Sequence, residues 1–201
     1  MPCYEYRVLQ FQEPIFKTIS RTYLITMPGS KRYASYMAQL KKYRPTAEVI
    51  VVINAGYKKC KKPAWVQTSA TDLWHVNCHI AESALRDGVT PILILEDDVL
   101  FTDDFLSSAK GIENFVHKHP APLAYKLGCS PVVSIPFETN HIRSLFGADA
   151  HAVIYNRAAL LRFAEITELM RKAWYPFHDT LLYSKLNVYF AKLNLSLVII
   201  G

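Results

Sequence analysis

Three consecutive carboxylates stand directly after an apolar run in the middle of the chain. Residues 92–95 read Ile-Leu-Ile-Leu, and Glu96, Asp97 and Asp98 follow without a break. Adjacent carboxylates at the end of a buried strand repel one another and lose hydration, so they are costly unless a positive group binds there. On an extended backbone, residues i and i+2 point to the same side, which puts Glu96 and Asp98 together. Oxygen ligands of this kind favour a hard divalent cation such as Mg²⁺, Mn²⁺ or Ca²⁺.

The same acidic run has a simpler interpretation, as a solvated loop that caps the next helix. Asp103 and Asp104 already stand where that helix is expected to begin, and they can cap it. Because the capping role is filled, we interpret Glu96, Asp97 and Asp98 as a metal-binding or substrate-binding cluster.

The elements that must position this cluster alternate between strand-like and helix-like patterns. Apolar, β-branched runs predict strands over 22–27, 48–53, 91–95, 122–127, 132–135, 150–155 and 195–200. Amphipathic spacing and capping residues predict helices over 30–42, from Thr71 or Asp72 to Arg86, from Asp103 or Asp104 to about His119, and over 156–170. The alternation predicts an α/β domain with a mainly parallel central sheet flanked by helices. Ligands of such sheets bind outside the carboxyl ends of the strands, where the acidic cluster falls.

Length and composition set the class of protein. The 201 residues are 51% hydrophobic and carry 23 basic against 17 acidic side chains, a net charge of +6. This composition excludes a disordered chain, and the charge suits anionic ligands. The length predicts one domain over 1–201. Because the sequence stops on an apolar, strand-like run, we expect this domain to be the N-terminal part of a longer polypeptide.

The cysteines and the hydropathy predict where the chain resides. The four cysteines are scattered and form no CxxC pair, so a zinc site is not expected. The first residues lack the basic start and apolar middle typical of a signal peptide, and no run of 18 apolar residues occurs, so neither a signal peptide nor a transmembrane segment is expected. We expect reduced thiols and a cytoplasmic location. P-loop, GxGxxG and GxSxG motifs do not occur in the sequence.

Several segments carry a resemblance to a known family. The run LILEDDVLF resembles GT-A glycosyltransferases, which have a Rossmann-like fold, and is most similar to glycosyltransferase family 25, the lipopolysaccharide-type enzymes with an EDD motif. Four further segments are similar to that family: residues 24–40, 76–79, 149–161 and 176–179. The resemblance implies a metal-dependent glycosyltransferase active in glycan biosynthesis. It would transfer a sugar from a nucleoside-diphosphate sugar, with a UDP-sugar as the expected donor, to a glycan or glycoprotein hydroxyl.

The resemblance also implies site residues for the metal and the donor. The cation would be Mn²⁺ or Mg²⁺, since a divalent cation held by a DXD-like motif neutralises the charge of the leaving diphosphate. The expected metal ligands are Asp98, Glu96 and His178, and the expected donor-binding residues are Arg32, Thr26, Asp97 and Glu96. A late histidine is an additional metal ligand in some GT-A enzymes. His151 and His178 both neighbour candidate acids and could take this role or simply line the pocket.

The expected catalytic base is a carboxylate late in the chain. Family 25 enzymes invert the anomeric centre, and one-step inversion needs a carboxylate that accepts the proton of the acceptor hydroxyl. Asp179 is the first choice for this base and Asp149 the second. Either residue could instead cap a helix.

Two further clusters have structural and functional interpretations. Lys58, Lys59, Lys61 and Lys62 form a basic loop, which is either solvated or attracts an anionic acceptor or the donor diphosphate. His75 and His79 have a spacing that can hold zinc, but Val76 replaces the glutamate of HExxH, so a structural or nucleotide-side role is favoured.

Two other function classes remain open. The same acids could serve a Mg²⁺-dependent phosphohydrolase or nuclease, and the basic loop with the tyrosines would suit a non-enzymatic binding module for nucleic acid or carbohydrate. The binding module leaves the acids at the end of a buried strand unexplained. We therefore expect a glycosyltransferase that does not bind nucleic acid.

Overall fold

A nine-stranded sheet lies at the centre of the computed structural model, which describes residues 2–128, 131–147, 151–173, 185–192 and 196–198. The elements, in chain order, are β1 (Tyr4–Gln10), β2 (Arg21–Thr26), α1 (Tyr33–Tyr43), β3 (Glu48–Asn54), α2 (Ser69–Arg86), β4 (Ile92–Glu96), β5 (Val99–Phe101), α3 (Asp104–Lys118), β6 (Leu123–Lys126), β7 (Pro131–Glu138), β8 (His141–Gly147), β9 (Ala152–Tyr155), α4 (Arg157–Leu160), α5 (Phe163–Ala173), β10 (Asn187–Ala191) and β11 (Ser196–Val198). The strand order in the large sheet is β1-β3-β2-β4-β9-β6-β10-β8-β7, and β5 pairs separately with β11.

The large sheet is mixed, so the expectation of a mainly parallel sheet is wrong. Parallel pairing joins β2 to β3, β2 to β4 and β6 to β10, whereas the other five neighbouring pairs of this sheet are antiparallel. A parallel pair needs a long crossover, usually through a helix, and an antiparallel pair does not. Among the described residues between β6 and β9 there is no helix. In that part of the chain, β7 and β8 form an antiparallel hairpin with a short turn.

Helices cover both faces of the sheet and bury alternate side chains of its strands. Side chains on one face of the sheet point towards α1 and α3, where Leu24, Leu93 and Leu95 join Tyr36 and Phe105 in one core. Residues of the other face point towards α2, α4 and α5, where Ile25 and Ile94 join Trp74, Ile80 and Phe163. Because both faces are buried, the central strands read as continuous apolar runs. The architecture is a three-layer α/β/α arrangement.

The predicted strands are present, with shifted ends, and the predicted helices differ mainly at their starts. Helix α2 begins at Ser69 because Thr68, rather than Thr71 or Asp72, is its N-cap: the Thr68 hydroxyl accepts a hydrogen bond from the Thr71 N–H. Asp72 consequently lies within the first turn and is buried. The predicted helix over 156–170 is divided into α4 and α5, with Asn156 as the N-cap of α4.

A disulfide joins Cys3 to Cys60, so the expectation of reduced thiols is wrong for these two residues. Strand β1 lies antiparallel beside β3, and the Ala55 N–H donates to the Cys3 carbonyl at 3.0 Å. This pairing brings Cys3 to the loop that follows β3, with a Cα–Cα distance of 5.4 Å to Cys60. Within the described part of the chain, no helix is both long and apolar enough to cross a membrane.

Candidate functional site

The parallel strands β3, β2 and β4 end at one edge of the sheet, at Asn54, Thr26 and Glu96. Helix α1 connects β2 to β3 on one face, and α2 connects β3 to β4 on the other. The edge is therefore a point at which connections leave the sheet in opposite directions, and such a point leaves a crevice outside the strand ends.

Strand β9 brings a histidine to the acidic run. Because β9 is antiparallel to β4, its first residues lie beside the last residues of β4. The Glu96 N–H donates to the His151 carbonyl at 2.8 Å. The His151 Nδ1 lies 3.2 Å from Glu96 Oε2 and 3.4 Å from Asp98 Oδ1. One ligand atom from each of the three residues lies within 4.8 Å of the others, so the group could hold a metal ion.

The electrostatics of this triad follow from the opposite charges that its side chains bring together. The two carboxylates, Asp98 first, raise the pKa of His151 to about 10, because they stabilise the imidazolium. Burial raises the pKa of Asp98, but the imidazolium of His151 and the guanidinium of Arg32 outweigh it, so the net pKa lies below its ordinary value. The Arg32 Nη1 is 3.9 Å from Asp98 Oδ2. In the absence of a cation, a proton on His151 balances part of the acidic charge.

The donor set fits a divalent cation. The buried Asp98 Oδ1 atom has no well-formed hydrogen bond from a described residue, and its contact with His151 Nδ1 is an ion pair at 3.4 Å. A cation would bind this oxygen and displace the proton from His151, since metal ligands must be deprotonated. Two carboxylates and one imidazole suit Mn²⁺ better than Mg²⁺ or Ca²⁺, which prefer oxygen ligands alone.

A cavity of about 340 Å³ opens beside the triad. Its walls come from the ends of the three parallel strands, the loop after β3 and the start of α2, namely Ile25, Thr26, Met27, Arg32, Asn54, Ala55, Gly56, Tyr57, Lys58, Lys59, Ser69, Asp72, Leu73, Glu96, Asp97 and Asp98. One wall is therefore acidic, the loop wall carries two lysines, and the interior is largely apolar. A volume of this size lies in the range of small-molecule and cofactor sites.

Five of the residues expected to bind the metal or donor line this cavity: Thr26, Arg32, Glu96, Asp97 and Asp98. The buried Thr26 hydroxyl donates to Asp97 Oδ2, so Thr26 holds the central carboxylate of the run. The remaining three expected residues, Asp149, His178 and Asp179, lie outside the described residues. Within the described part, the histidine beside the carboxylates is His151, which the sequence left as one of two possibilities.

A buried ion pair at the wall of the cavity was not found from the sequence. Lys62 Nζ donates to Asp72 Oδ1, and the two side chains are only 2% and 7% exposed. The sequence pattern predicted Asp72 as a possible cap and Lys62 as part of a basic loop. A charged pair between a loop and a helix leaves no periodic signal in the sequence. Only the packing of the loop on α2 shows it.

The His75 and His79 pair has a structural role. The Tyr4 hydroxyl is hydrogen-bonded to His75 Nδ1, and the Tyr6 hydroxyl to His79 Nε2. These contacts join β1 to α2, and the Tyr4 ring also stacks on His79 with the ring centroids 4.6 Å apart. Burial lowers the pKa of His79, which keeps its ring neutral.

Comparison with known proteins gives little that bears on this site. No protein-family model matches the chain, and no curated protein matches it. Among solved structures, a glycosyltransferase involved in the glycosylation of the major capsid of PBCV-1 aligns with a TM-score of 0.46 and 15% identity. The alignment covers 81% of this chain and 74% of that chain. A likeness at this TM-score and identity does not establish a function for this chain.

Proposed function

We propose that this chain is a metal-dependent glycosyltransferase that takes its sugar from a nucleoside-diphosphate donor. The observation that carries the proposal is the His151, Glu96 and Asp98 triad at the rim of a cavity with one acidic and one basic wall. A nucleoside diphosphate with its divalent cation matches this arrangement. The cation would meet the acids, the phosphates would meet the lysines, and the nucleoside would fill the apolar interior.

Five residues at or beside the cavity have a proposed task. Glu96, Asp98 and His151 would hold Mn²⁺, which would neutralise the charge that grows on the diphosphate as the glycosidic bond breaks. Lys58 and Lys59 would add positive charge on the opposite wall. Their combined effect would be greatest on the transition state, in which the leaving group is most negative.

The acceptor side of the reaction needs a base. In the proposed inverting reaction, the acceptor oxygen forms a bond to the anomeric carbon while the bond from that carbon to the diphosphate oxygen breaks. The proton of the acceptor hydroxyl moves to a carboxylate. Asp179 and Asp149 stay the proposed first and second choices for this carboxylate. A UDP-sugar is the proposed donor and a glycan or glycoprotein hydroxyl the proposed acceptor.

The first prediction tests the cation and donor together. We expect a Mn²⁺-dependent rise in melting temperature with one member of a panel of nucleotide sugars. Saturation at 100 times Kd stabilises the folded state by about 2.7 kcal/mol. The rise should vanish in Asp98→Asn, because this change removes a charged ligand from the triad. The matched control is Asp104→Asn, an exposed residue at the start of α3 that lies outside the cavity.

Two results would overturn the proposal. One is the absence of any donor-dependent shift in the unmutated protein. The other is Mn²⁺-dependent cleavage of nucleic acid or of a phosphate ester that is lost in Asp98→Asn, which would establish the phosphohydrolase or nuclease alternative.

A further inference from the structure

The loop over residues 56–62 forms the basic wall of the cavity. It follows β3 directly, and four of its residues line the cavity: Gly56, Tyr57, Lys58 and Lys59. Lys58 and Lys59 are exposed, so solvent alone would leave their side chains free to move. A wall that meets a diphosphate must be held in place, because a displacement of about 1 Å can lower a rate 100-fold.

The far end of this loop is anchored by Lys62. Its ammonium group donates to Asn54 Oδ1 at 2.7 Å and to Asp72 Oδ1, and it lies 4.8 Å from the centre of the Tyr4 ring. Lysine is almost never this deeply buried unless it is paired. Lys62 does not line the cavity, whereas Asp72 does.

The near end of the loop is anchored by the same group of side chains. Asp72 Oδ2 accepts hydrogen bonds from the Tyr57 N–H at 3.2 Å and from Asn54 Nδ2 at 3.0 Å. Asn54 Oδ1 accepts one from the Gly56 N–H at 3.1 Å. One buried network therefore ties both ends of the 56–62 loop to the end of β3 and to the first turn of α2.

Stability alone does not account for a buried ion pair. Removing two charges from water is expensive, and replacement of such a pair by apolar side chains is often neutral or stabilising. The geometry supplies a different reason, because the other described partners of the Lys62 and Asp72 side chains lie in the loop, in β1 or at the end of β3.

We infer that Lys62 is a positioning residue for the donor site: its ion pair with Asp72 fixes the 56–62 loop so that Lys58 and Lys59 face the acidic wall and meet the donor phosphates. Lys62 itself contacts neither the phosphates nor the cation. The inference rests on the proposed function, because it takes the ligand of the cavity to be a nucleoside diphosphate.

The test compares two neighbouring lysines of the same loop. Lys62→Met keeps the length of the side chain and removes the buried charge. Lys61→Met removes the same charge from an exposed position that does not line the cavity. With UDP and Mn²⁺ as the probe, we expect Lys62→Met to weaken binding about tenfold or more in calorimetry, given the effect of small displacements. Lys61→Met should bind as the unmutated protein does.

A double variant separates positioning from simple loss of stability. Lys62→Met leaves Asp72 charged and unpaired, so its melting temperature should fall. Lys62→Met combined with Asp72→Asn removes both charges, and we expect the melting temperature to recover while UDP binding stays weak. Recovery of UDP binding together with the melting temperature would show that the pair only stabilises the fold, and would overturn the inference.

Trypsin provides a readout that needs no nucleotide. Cleavage after Lys58 and Lys59 reports how well the 56–62 loop is held, and we expect it to be faster in Lys62→Met and in the double variant than in Lys61→Met. Equal cleavage and equal UDP affinity in Lys62→Met and Lys61→Met would overturn the inference and leave the proposed function standing. Failure of the unmutated protein to bind any nucleotide sugar with Mn²⁺ would overturn both.

Discussion

At the scale of single residues, the candidate metal site combines two carboxylates with one imidazole, and this mixture determines the cation that suits it. Glu96 and Asp98 alone would offer only oxygen ligands, which hard cations such as Mg²⁺ prefer. The Nδ1 of His151, 3.2 Å from Glu96 Oε2, adds a nitrogen. Nitrogen ligands favour the transition metals, so the triad should distinguish Mn²⁺ from Mg²⁺.

The second prediction concerns His151→Gln. The glutamine amide offers an oxygen in place of the imidazole nitrogen, so the site should bind Mn²⁺ less tightly while Mg²⁺ binding changes less. We expect Mn²⁺ affinity to fall by about 10- to 100-fold, since the loss of groups that merely orient metal ligands already has effects of that size. Calorimetric titration with each cation in turn measures the change.

His117→Gln is the control for this prediction, because His117 is an exposed residue of α3 outside the triad. Its Mn²⁺ affinity should equal that of the unmutated protein. An unchanged preference for Mn²⁺ over Mg²⁺ in His151→Gln would show that His151 is not a ligand.

The sequence allowed some of these residues to be placed and not others. The acids of the run could be placed from the sequence because an apolar run shows where a buried strand ends. They follow the carboxyl end of β4 and line the cavity there. The position of His151 depends on which strand β9 pairs with and in which direction, a nonlocal property that no local pattern carries. The Lys62 and Asp72 pair likewise depends on how a loop packs on a helix.

At the scale of elements, apolar runs predicted β2, β3, β4, β6, β7, β9 and β11, whereas β1, β5, β8 and β10 were not predicted. Strand β1 lies at the edge of the sheet and is exposed except at the half-buried Tyr4 and Leu9, and β8 carries Arg143 and Ser144 between apolar residues. Neither strand forms an apolar run, so neither was predicted. The parallel arrangement was correct for β2, β3 and β4, where a helix follows each of the first two strands, and beyond them only β6 and β10 pair in parallel among the described strands of the large sheet.

The turn from β3 into the 56–62 loop carries the third prediction. Gly56 has a φ of +86°, a backbone angle that residues with a side chain rarely adopt. A Cβ there would lie 3.3 Å from Met27 Cε. Gly56→Ala therefore strains the backbone by about 1–2 kcal/mol. It should also shift the loop or Met27 at the cavity. We expect a lower melting temperature and UDP binding with Mn²⁺ that is weaker by about tenfold.

Gly88→Ala is the matched control for the turn. Gly88 has a φ of +68° after the end of α2, and a Cβ there meets nothing within 4 Å. The two alanine variants should lose similar stability, measured by thermal unfolding, while only Gly56→Ala loses UDP affinity. Equal UDP affinity in both variants would show that the conformation of this turn does not matter for the ligand.

At the scale of the whole molecule, the disulfide joins the first edge strand to the wall of the cavity. Cys3 stands immediately before β1, and Cys60 belongs to the 56–62 loop, 57 residues further along the chain. Disulfides persist mainly in oxidising compartments. The bond therefore weighs against the expected cytoplasmic location, which stays a prediction.

The last prediction follows from the length of chain that the disulfide closes. A crosslink between residues 57 apart removes conformational entropy from the unfolded chain, worth about 4 kcal/mol in the chain-entropy model. Because a change of 1 kcal/mol moves the melting temperature of a domain of this size by about 2–4 °C, Cys3→Ser should melt roughly 10 °C lower.

A reductant should lower the melting temperature of the unmutated protein to the same value and have no further effect on Cys3→Ser. Cys78→Ser, which alters a cysteine outside the disulfide, should keep the response to reductant. A melting temperature that reductant leaves unchanged in the unmutated protein would show that the fold does not depend on this crosslink, and that the noncovalent contacts of β1 with β3 and α2 hold the first strand in place.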